Sequence, residues 1–348
     1  MKPDCILNLV RDNIRSLEPY STARDEYQGT PGILLDANEN PFGNGLNRYP
    51  SAALRRCLLE KIASFKGFPP EETFLGNGSD ECIDLCYRVF CRPGVDNALM
   101  IAPSYGMYRV LADINGVESR SIPLGTGFSL PVEEILARCD RHSRLLFLCS
   151  PNNPTGNTLS FSGILRLLEE FPGMVVVDEA YADFSTQPGL ASLVPRYPNL
   201  IVLQTLSKAF GMAGLRIGIA RADRSVVTLF DRVRYPYNIG TDTLKLALET
   251  LDPERSAREI AVIRSERDRL ATALSETRCI LAVFPSDANF LLVRTQDPKA
   301  LYRHLLTRGI IVRDRSSTPG CEGTLRLSVG TPEENDRLIR TITEYDNV

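Results

Sequence analysis

Histidine is scarce in this chain: His142 and His304 are the only two in 348 residues. Two histidines leave little room for a histidine-centred catalytic triad or for a histidine-rich metal enzyme. The nine cysteines are an odd number, so they do not all pair within one chain. Cys82, Cys86 and Cys91 recur at helical spacing among apolar residues, which indicates buried thiols rather than zinc ligands. We therefore expect no metal site and a cytoplasmic protein without disulfides.

Long runs of one charge and long apolar runs are also lacking. The formal net charge is −3 and the basic residues are spread along the chain, so no basic patch points to a nucleic-acid partner. No apolar run is long enough to span a bilayer. The first ten residues contain an early acid and no small-residue cleavage pattern, so we expect neither a membrane protein nor a signal peptide.

The hydrophobic residues, 43% of the chain, fall in short apolar runs that alternate with longer segments of helical spacing. Most runs are continuous, which is typical of strands covered on both faces, and their alternation with helices favours an α/β fold with a mainly parallel sheet. In the last third, shorter strand-like pieces follow a long helical stretch, which predicts an α+β unit. The predicted strands are residues 74–75, 98–102, 145–149, 174–177, 201–204 and 217–220 in the first part, and 290–294, 310–313 and 324–328 in the second.

Three regions follow from these patterns. Residues 1–45, dense in proline, glycine and asparagine, are predicted to form an N-terminal arm. Residues 46–240 are predicted to form a large domain. Residues 241–348 are predicted to form a smaller C-terminal domain.

Polar sequences follow four of the predicted strands of the large domain. Because ligands bind beyond the carboxyl ends of strands in an open parallel sheet, we expect these segments to border one crevice. The four segments are residues 76–81 (GNGSDE), 150–156 (SPNNPTG), 178–181 (DEAY) and 207–208 (SK).

The stretch over residues 205–218 (TLSKAFGMAGLRIG) carries the most specific chemistry. The amine of Lys208 can condense with an aldehyde, and Ser207 with Arg216 can hold a phosphate. A cofactor that is both an aldehyde and a phosphate ester, pyridoxal 5′-phosphate (PLP), needs this set of groups. Without support from the rest of the chain, Lys208 would be an ordinary surface lysine.

Other residues at the same crevice suit the same cofactor. Asp178 leaves an apolar strand, where a carboxylate is costly unless paired, and a protonated pyridine nitrogen would pair with it. A magnesium-binding acid and a helix N-cap are the alternatives for Asp178. Asn153, in a turn stiffened by two prolines, and Tyr181 are suited to a ring oxygen. Ser79 or Asp80 caps the next helix, whose N-terminus is either a plain cap or a phosphate site.

In this order, these signals resemble the aspartate-aminotransferase-like superfamily of fold-type I PLP enzymes. That resemblance implies a large domain with a mostly parallel seven-stranded sheet, a smaller α+β domain, and a homodimer with shared active sites. Further motifs resemble the histidinol-phosphate aminotransferase family, whose members exchange an amino group between L-histidinol phosphate and 2-oxoglutarate, giving L-glutamate, in histidine biosynthesis. These motifs are residues 19–24 (PYSTAR), 35–41 (LDANENP), 47–50 (NRYP), 104–108 (SYGMY) and 326–335 (RLSVGTPEEN).

The resemblance implies a role for each matching residue. Lys208 binds the cofactor covalently and then moves the substrate's proton. Asp178 pairs with the ring nitrogen, and Tyr181, with Asn153, holds the ring oxygen. The arm contributes to the small domain and the dimer, and its Arg24 precedes Asp25 where the family pattern has a second basic residue. The implied cofactor ligands are Gly78, Ser79, Asp80, Tyr105, Asn153, Asp178, Tyr181, Ser207, Lys208, Arg216 and, from the partner subunit, Tyr49. The implied substrate ligands are Tyr20, Asn153, Arg313 and Arg326.

Three other functions share part of this pattern. Threonine-phosphate decarboxylases resemble the chain in nearly all the cofactor motifs and also bind a phosphorylated amine. An aromatic or broad-range aminotransferase is the second alternative. A PLP-binding regulator would carry an added DNA-binding domain and a basic cluster, neither of which we expect here.

Overall fold

The computed structural model of the protein describes residues 6–20, 23–26, 32–43 and 45–346, apart from the side chains of residues 25 and 26. Ser21 and Thr22 of the 19–24 motif, and the side chain of Asp25, lie outside this description. The helices are α1 (Asp12–Arg15), α2 (Ala23–Glu26), α3 (Ala52–Lys66), α4 (Ser79–Phe90), α5 (Met107–Ile114), α6 (Val132–Arg138), α7 (Phe161–Glu170), α8 (Arg224–Val233), α9 (Thr241–Thr250), α10 (Pro253–Ser275), α11 (Pro298–Thr307) and α12 (Pro332–Asp346). The strands are β1 (Thr73–Asn77), β2 (Asn97–Ala102), β3 (Glu118–Pro123), β4 (Ser143–Cys149), β5 (Met174–Asp178), β6 (Leu200–Thr205), β7 (Ile217–Ala222), β8 (Ile280–Val283), β9 (Phe290–Thr295), β10 (Arg313–Asp314) and β11 (Thr324–Ser328).

The larger sheet has seven strands in the order β1-β7-β6-β5-β4-β2-β3. Strands β6, β5, β4, β2 and β3 are parallel, whereas β7 is antiparallel to both of its neighbours, β6 and β1. Strand β1 therefore points the same way as the parallel strands. The carboxyl ends of β1, β4, β5 and β6 lie at one edge, where β7 begins. The predicted mostly parallel seven-stranded sheet is confirmed.

Two apolar layers cover the two faces of this sheet. Every residue of β5 and β6 is buried, which explains why these strands are continuous apolar runs in the sequence. One layer contains Phe74, Tyr87 and Phe230, and the other contains Phe171. Burial on both faces fixes the strand ends in place, and with them the polar residues that follow.

The smaller sheet is antiparallel throughout, in the order β10-β11-β9-β8. Its own apolar core contains Leu270 and Leu274 of α10, Leu305 of α11 and Ile342 of α12. Helix α10 begins where the Asp252 side chain accepts a hydrogen bond from Arg255 N at 3.0 Å, a standard N-cap.

The helix after residue 240 belongs to a different core. Leu244 and Ala247 of α9 pack with Leu58 and Ile62 of α3, beside the large sheet. The division into residues 1–45, 46–240 and 241–348 stays a prediction.

Two strands were not predicted, and one prediction was wrong in part. Strand β3 pairs only with β2 at the sheet edge and is largely polar, so it has no apolar run, and β8 (Ile280–Val283) is short and partly exposed. Residues 310–313 were predicted as a strand, but only Arg313 and Asp314 pair, with β11. Ile311 is 83% exposed. The apolar residues at 310–312 therefore belong to a surface connection rather than to a strand.

Within the described ranges, no helix is both long and apolar enough to cross a membrane. The same residues contain no group of three or more His, Cys, Asp or Glu side chains placed to hold a metal ion. Eight cysteines of the described chain are free thiols, and Cys82, Cys86 and Cys91 are buried. Burial raises the pKa of the Cys82 thiol well above its usual value, so it stays protonated.

Candidate active site

A cleft of about 460 Å³ opens at the carboxyl edge of the large sheet. Nine of the sequence-predicted site residues line it together with three residues that were not predicted, Cys149, Ala180 and Thr205. The nine are Ser79, Asp80, Tyr105, Asn153, Asp178, Tyr181, Ser207, Lys208 and Arg216. They follow β1, β2, β4, β5 and β6 or immediately precede β7, so the sheet topology brings them together.

One end of the cleft is built by the approach of α4 to β7. Gly78 has φ of 76° and its N donates to Arg216 O at 2.7 Å. A Cβ on Gly78 would lie 2.5 Å from Arg216 Nη2, and one on Gly218 would lie 2.3 Å from Ser79 N. Glycine at 218 lets the two backbones approach so closely, and glycine at 78 leaves room for the Arg216 guanidinium. The N-terminus of α4 and the Arg216 guanidinium consequently face the same space, which suits an anion.

Ser207 adds an unsatisfied hydroxyl to this end. Its Oγ is buried and has no hydrogen-bond partner within the part of the chain that the structure describes. Its N donates to Thr205 Oγ1 at 3.0 Å, and that hydroxyl donates to Ile217 O at 3.1 Å. Thr205 thus ties the turn after β6 to the start of β7. A buried hydroxyl without a partner is costly unless a ligand completes it, and a phosphate oxygen would do so.

Asp80 links this end of the cleft to an aromatic ring. Its carboxylate accepts from Tyr105 Oη at 3.0 Å and from Arg216 Nη2 at 3.4 Å. A carboxylate repels a phosphate, so this side chain orients Arg216 and Tyr105. Any contact of Asp80 with the anion would come from its backbone N–H at the start of α4.

Gly78→Ala is expected to weaken PLP binding at least about tenfold, since alanine at φ 76° and ψ 163° is strained by about 1–3 kcal/mol and its methyl group displaces Arg216. Equilibrium dialysis of the cofactor measures this. Gly67→Ala is the matched control because Gly67 also has positive φ, 71°, with no atom within 4 Å of its added Cβ. The control should lose stability but keep its affinity for PLP. Equal affinities for PLP in Gly78→Ala and Gly67→Ala would show that the contact between Gly78 and Arg216 does not matter for cofactor binding.

Asp178 is the buried acid at the end of β5. Its Oδ2 accepts from Tyr108 Oη at 2.7 Å and its Oδ1 from Ala180 N at 3.0 Å. Burial raises the pKa of Asp178, while these two hydrogen bonds and the charge of Lys208 act in the opposite direction. No ion pair of Asp178 is present among the residues that the structure describes. A ligand cation at this position would favour its ionised form.

Tyr108 is a further residue at this site that sequence reasoning missed, and it contacts the buried acid directly. It lies in the 104–108 motif but is fully buried in α5, and its ring stacks on Phe147 at 4.9 Å between centroids. The spacing of apolar residues in the helix indicates that the ring is buried. The bond from its hydroxyl to Asp178, by contrast, depends on the pairing of β2 with β4 and of β4 with β5. No local sequence signal gives that contact.

Lys208, Tyr181 and Asn153 face one another across the cleft. Lys208 Nζ lies 5.8 Å from the centroid of the Tyr181 ring, and Asn153 Nδ2 lies 3.4 Å from Tyr181 Oη. Burial lowers the pKa of Lys208, and the positive charges of Arg326 and Arg216 lower it further. A lysine with a lowered pKa has a larger fraction of free amine near neutrality, which is the nucleophilic and basic form.

The small sheet closes the other side of the cleft through Arg326. Its Nη1 donates to Asn153 Oδ1 at 2.5 Å, and its guanidinium carbon lies 5.3 Å from the Phe290 ring centroid. Arg313 faces Arg326 across β10 and β11 in the strand register and is exposed. The structure thus brings Arg326 to the cleft through Asn153 and places Arg313 beside Arg326 on the small sheet.

Tyr20 and Tyr49 do not line this cleft. Tyr49 is 50% exposed and stacks on Tyr237 with ring centroids 4.4 Å apart. Tyr20 is 77% exposed and borders a separate groove that includes Arg55 and Arg234. Neither ring reaches the cofactor cleft of its own chain.

The backbone of Tyr49 is held by a buried acid of the arm. Glu39 accepts from Tyr49 N at 2.6 Å, from Arg24 at 2.6 Å and from Arg48 at 2.7 Å. Burial acts to raise the pKa of Glu39, but these three donors outweigh it and hold the pKa at about 2. Arg24 also pairs with Asp36 at 2.9 Å. This cluster holds the segment that presents the Tyr49 ring.

Comparison with known proteins agrees with this geometry. Residues 28–342 match the family described as aminotransferase class I and II. The chain belongs to this family. Its members use PLP, and the chain is accordingly a PLP-dependent aminotransferase of fold type I.

This aminotransferase has similar relatives over nearly its whole length. The histidinol-phosphate aminotransferase of Parabacteroides distasonis is 46% identical over 336 residues, covering 96% of this chain and 97% of that protein. The enzyme of the same name from Cytophaga hutchinsonii is 47% identical over 343 residues, covering 97% and 98%. The crystal structure of the histidinol-phosphate aminotransferase from Clostridium acetobutylicum matches with a TM-score of 0.79 at 25% identity, covering 87% of this chain and 91% of that one.

The cleft of the aminotransferase fits PLP on three counts. Ser207 Oγ is a buried donor without a partner, beside the cradle that Gly78 leaves open for Arg216. Asp178 is a buried acid suited to a cationic ring nitrogen. Lys208, with its lowered pKa, lies between these two ends as the amine that can condense with the aldehyde.

Proposed function

We propose that this aminotransferase exchanges the amino group between L-histidinol phosphate and 2-oxoglutarate, giving imidazole acetol phosphate and L-glutamate, in histidine biosynthesis. The observation that carries the proposal is the identity of 46% and 47%, over nearly full length, to two curated relatives named histidinol-phosphate aminotransferase. The arginines at the cleft support it, because both substrates are anions.

The roles of the cofactor ligands follow from their positions. The Ser207 hydroxyl, the Arg216 guanidinium and the N-terminus of α4 hold the phosphate, and Gly78 allows their close approach. Tyr105, positioned by its bond to Asp80 at 3.0 Å, stacks on the ring.

Asp178 and its neighbours hold the other end of the ring. The Asp178 carboxylate, oriented by the Tyr108 hydroxyl at 2.7 Å, pairs with the ring nitrogen and keeps it protonated. Tyr181 Oη and Asn153 Nδ2 donate to the ring oxygen. When bound, PLP supplies an electron-accepting ring that carries the amino group between the two substrates.

Lys208 performs two tasks in turn. Its amine would hold PLP covalently, and its Nζ, when free, would accept the proton from the substrate's α-carbon. Burial and the charges of Arg326 and Arg216 lower its pKa, which keeps the amine in its basic form closer to neutral pH.

The anionic group of each substrate binds at the side of the cleft formed by the small sheet. Arg326 offers a planar fork there, with Arg313 beside it, and such forks accept carboxylate and phosphate alike. Asn153 joins the two regions through its contact with Arg326. Tyr20 is proposed to reach the substrate from the arm.

A homodimer completes the site in this proposal. Tyr49 lies outside the cleft of its own chain and is 50% exposed, so its ring is available to reach the cofactor phosphate of a partner subunit. We also place the enzyme in the cytoplasm, where its cysteines remain reduced.

An absorbance titration tests the proposed reaction. Adding L-histidinol phosphate to the holoenzyme should convert the PLP spectrum to that of the amino form, and 2-oxoglutarate should restore it. L-Phenylalanine and O-phospho-L-threonine are the comparison amines. Conversion by phenylalanine alone, or release of carbon dioxide from phosphothreonine, would replace histidinol phosphate with another substrate.

A further inference from the structure

Arg315 shares a face of the small sheet with the two arginines already described. Arg313 pairs with Arg326 in the register of β10 and β11, and Arg315 N continues the ladder by donating to Thr324 O at 3.0 Å. Because side chains alternate between the faces of a strand, Arg313 and Arg315 lie on the face that carries Arg326. Asp314 lies on the other face, where its Oδ1 accepts from Ser316 N at 2.8 Å.

This face borders the cleft. Arg326 donates to Asn153, and Asn153 lines the cleft. The loop that follows Arg315 returns to the large domain, since a Cβ on Gly320 would lie 3.3 Å from Pro103 Cδ. Arg315 therefore lies on the sheet face that carries Arg326, at the start of a loop that contacts the large domain.

The three guanidinium groups repel one another. Burial lowers the pKa of Arg315, and the charges of Arg326 and Arg313 lower it further. Burial and the charge of Arg313 also lower the pKa of Arg326. None of the three forms an ion pair with a carboxylate in the described ranges of the chain. Three like charges without a counter-charge are unfavourable unless an anion joins them.

Arg315 also has an unsatisfied hydrogen-bond donor. Its Nε is buried and without a partner among the described residues, although a guanidinium has five N–H donors. Arg326, by contrast, already donates to the neutral oxygen of Asn153. An anion with several acceptor oxygens would satisfy the donor that the protein leaves unpaired.

We propose that Arg315 is a specificity-determining residue, the third donor of an anion site that favours a phosphate monoester over a carboxylate. One bidentate fork satisfies a carboxylate, which has two oxygens and one charge. A phosphate monoester has three acceptor oxygens and a charge between about −1.5 and −2 near neutral pH, so it gains more from a third guanidinium. The inference rests on the proposed function, because it assumes that a phosphorylated amine and a dicarboxylate share the site.

Arg315→Gln tests this assignment in the purified holoenzyme. We expect kcat/KM for L-histidinol phosphate to fall about 10- to 100-fold, the size of a lost hydrogen bond to a charged group, mainly through KM. The value for L-glutamate should fall less than about fivefold, and that for L-histidinol, which has no phosphate, should stay the same. Arg315→Lys keeps the charge but loses the fork, so its affinity for the phosphate ester should be intermediate.

The control is Arg308→Gln, which removes the same charge from an exposed arginine of the small domain that pairs with Glu344 at 3.6 Å. This variant should have the activity of the wild type, and no variant should unfold at a markedly lower temperature than the wild type. Equal losses for L-histidinol phosphate and L-glutamate, or no loss for either in Arg315→Gln, would overturn the inference. Should Arg315→Gln not fold, the Arg315→Lys comparison decides in the same way.

The proposed function and this inference fail differently. Inhibition of the L-glutamate half-reaction by L-histidinol phosphate measures binding whether or not the compound is turned over. Wild-type enzyme that binds but does not convert it would refute the proposed reaction and leave the Arg315 comparison readable. Conversion by the wild type with an unchanged inhibition constant in Arg315→Gln would refute only the role of Arg315.

Discussion

Lys208→Ala is expected to lower the turnover of L-histidinol phosphate by at least about 10⁴-fold, because the variant loses both the covalent anchor and the base. The cofactor should still bind. Its proposed phosphate contacts, at Ser207, Arg216 and the start of α4, do not involve Lys208, and neither does the bond between Tyr108 and Asp178 at 2.7 Å. Single-turnover kinetics, with PLP content measured in parallel, separate loss of chemistry from loss of cofactor.

Borohydride treatment provides a second measurement for the same variant. Reduction should fix PLP covalently to the wild type and leave it dialysable from Lys208→Ala. Lys245→Ala removes an exposed lysine of α9 and is the matched control, which should keep both activity and label. Turnover near the wild-type level in Lys208→Ala, or a label on another lysine, would remove Lys208 from the reaction.

The cleft was largely predictable because it depends on chain direction alone. Continuous apolar runs identified the buried strands, and parallel strands end at one edge. Ser79, Asn153, Asp178 and Lys208 each follow such a strand, so their convergence needed no knowledge of the loops. Arg216 joins them because β7 is antiparallel and begins at that edge.

Contacts between distant segments could not be predicted in the same way. The bond from Tyr108 to Asp178 depends on how α5 packs over neighbouring strands. Ser79 or Asp80 was expected to cap α4, but this was wrong: Gly78 is the N-cap, and no side chain of the described residues caps the helix. The Asp80 carboxylate instead accepts from Tyr105 and Arg216. Arg315 was overlooked because residues 310–313 read as a strand that ends before it, whereas the pairing begins at Arg313.

Asp178→Asn is expected to lower turnover by about two to three orders of magnitude. Removing one partner of a buried ion pair costs about 3–5 kcal/mol, and the proposed partner of Asp178 is the ring nitrogen of PLP. Asparagine has nearly the same shape. Its Oδ1 can accept from Ala180 N, and its Nδ2, at the position of the other carboxylate oxygen, can donate to the Tyr108 hydroxyl. The loss should appear in the rate of proton removal from the substrate's α-carbon, measured with deuterated L-glutamate, because a neutral ring nitrogen accepts electrons poorly.

The same substitution should not destabilise the cofactor-free protein at neutral pH, and this separates its electrostatic effect from misfolding. Burial raises the pKa of Asp178 in the folded chain, so ionisation there is less favourable than in the unfolded chain. Between the unfolded and folded pKa values, rising pH therefore removes stability. Asparagine carries no charge, so the unfolding temperature of cofactor-free Asp178→Asn should equal or exceed that of the wild type.

Tyr108→Phe is the companion variant, since it removes one hydrogen bond to the carboxylate and leaves the charge in place. A loss of about tenfold in turnover is expected, the size of one bond to a charged group. With PLP bound, the wild type should instead unfold at a higher temperature than Asp178→Asn, because only the wild-type carboxylate gains a cation. If Asp178→Asn and the wild type were stabilised equally by PLP, or if Tyr108→Phe lost as much activity as Asp178→Asn, the charge of Asp178 would not be what holds the ring nitrogen protonated.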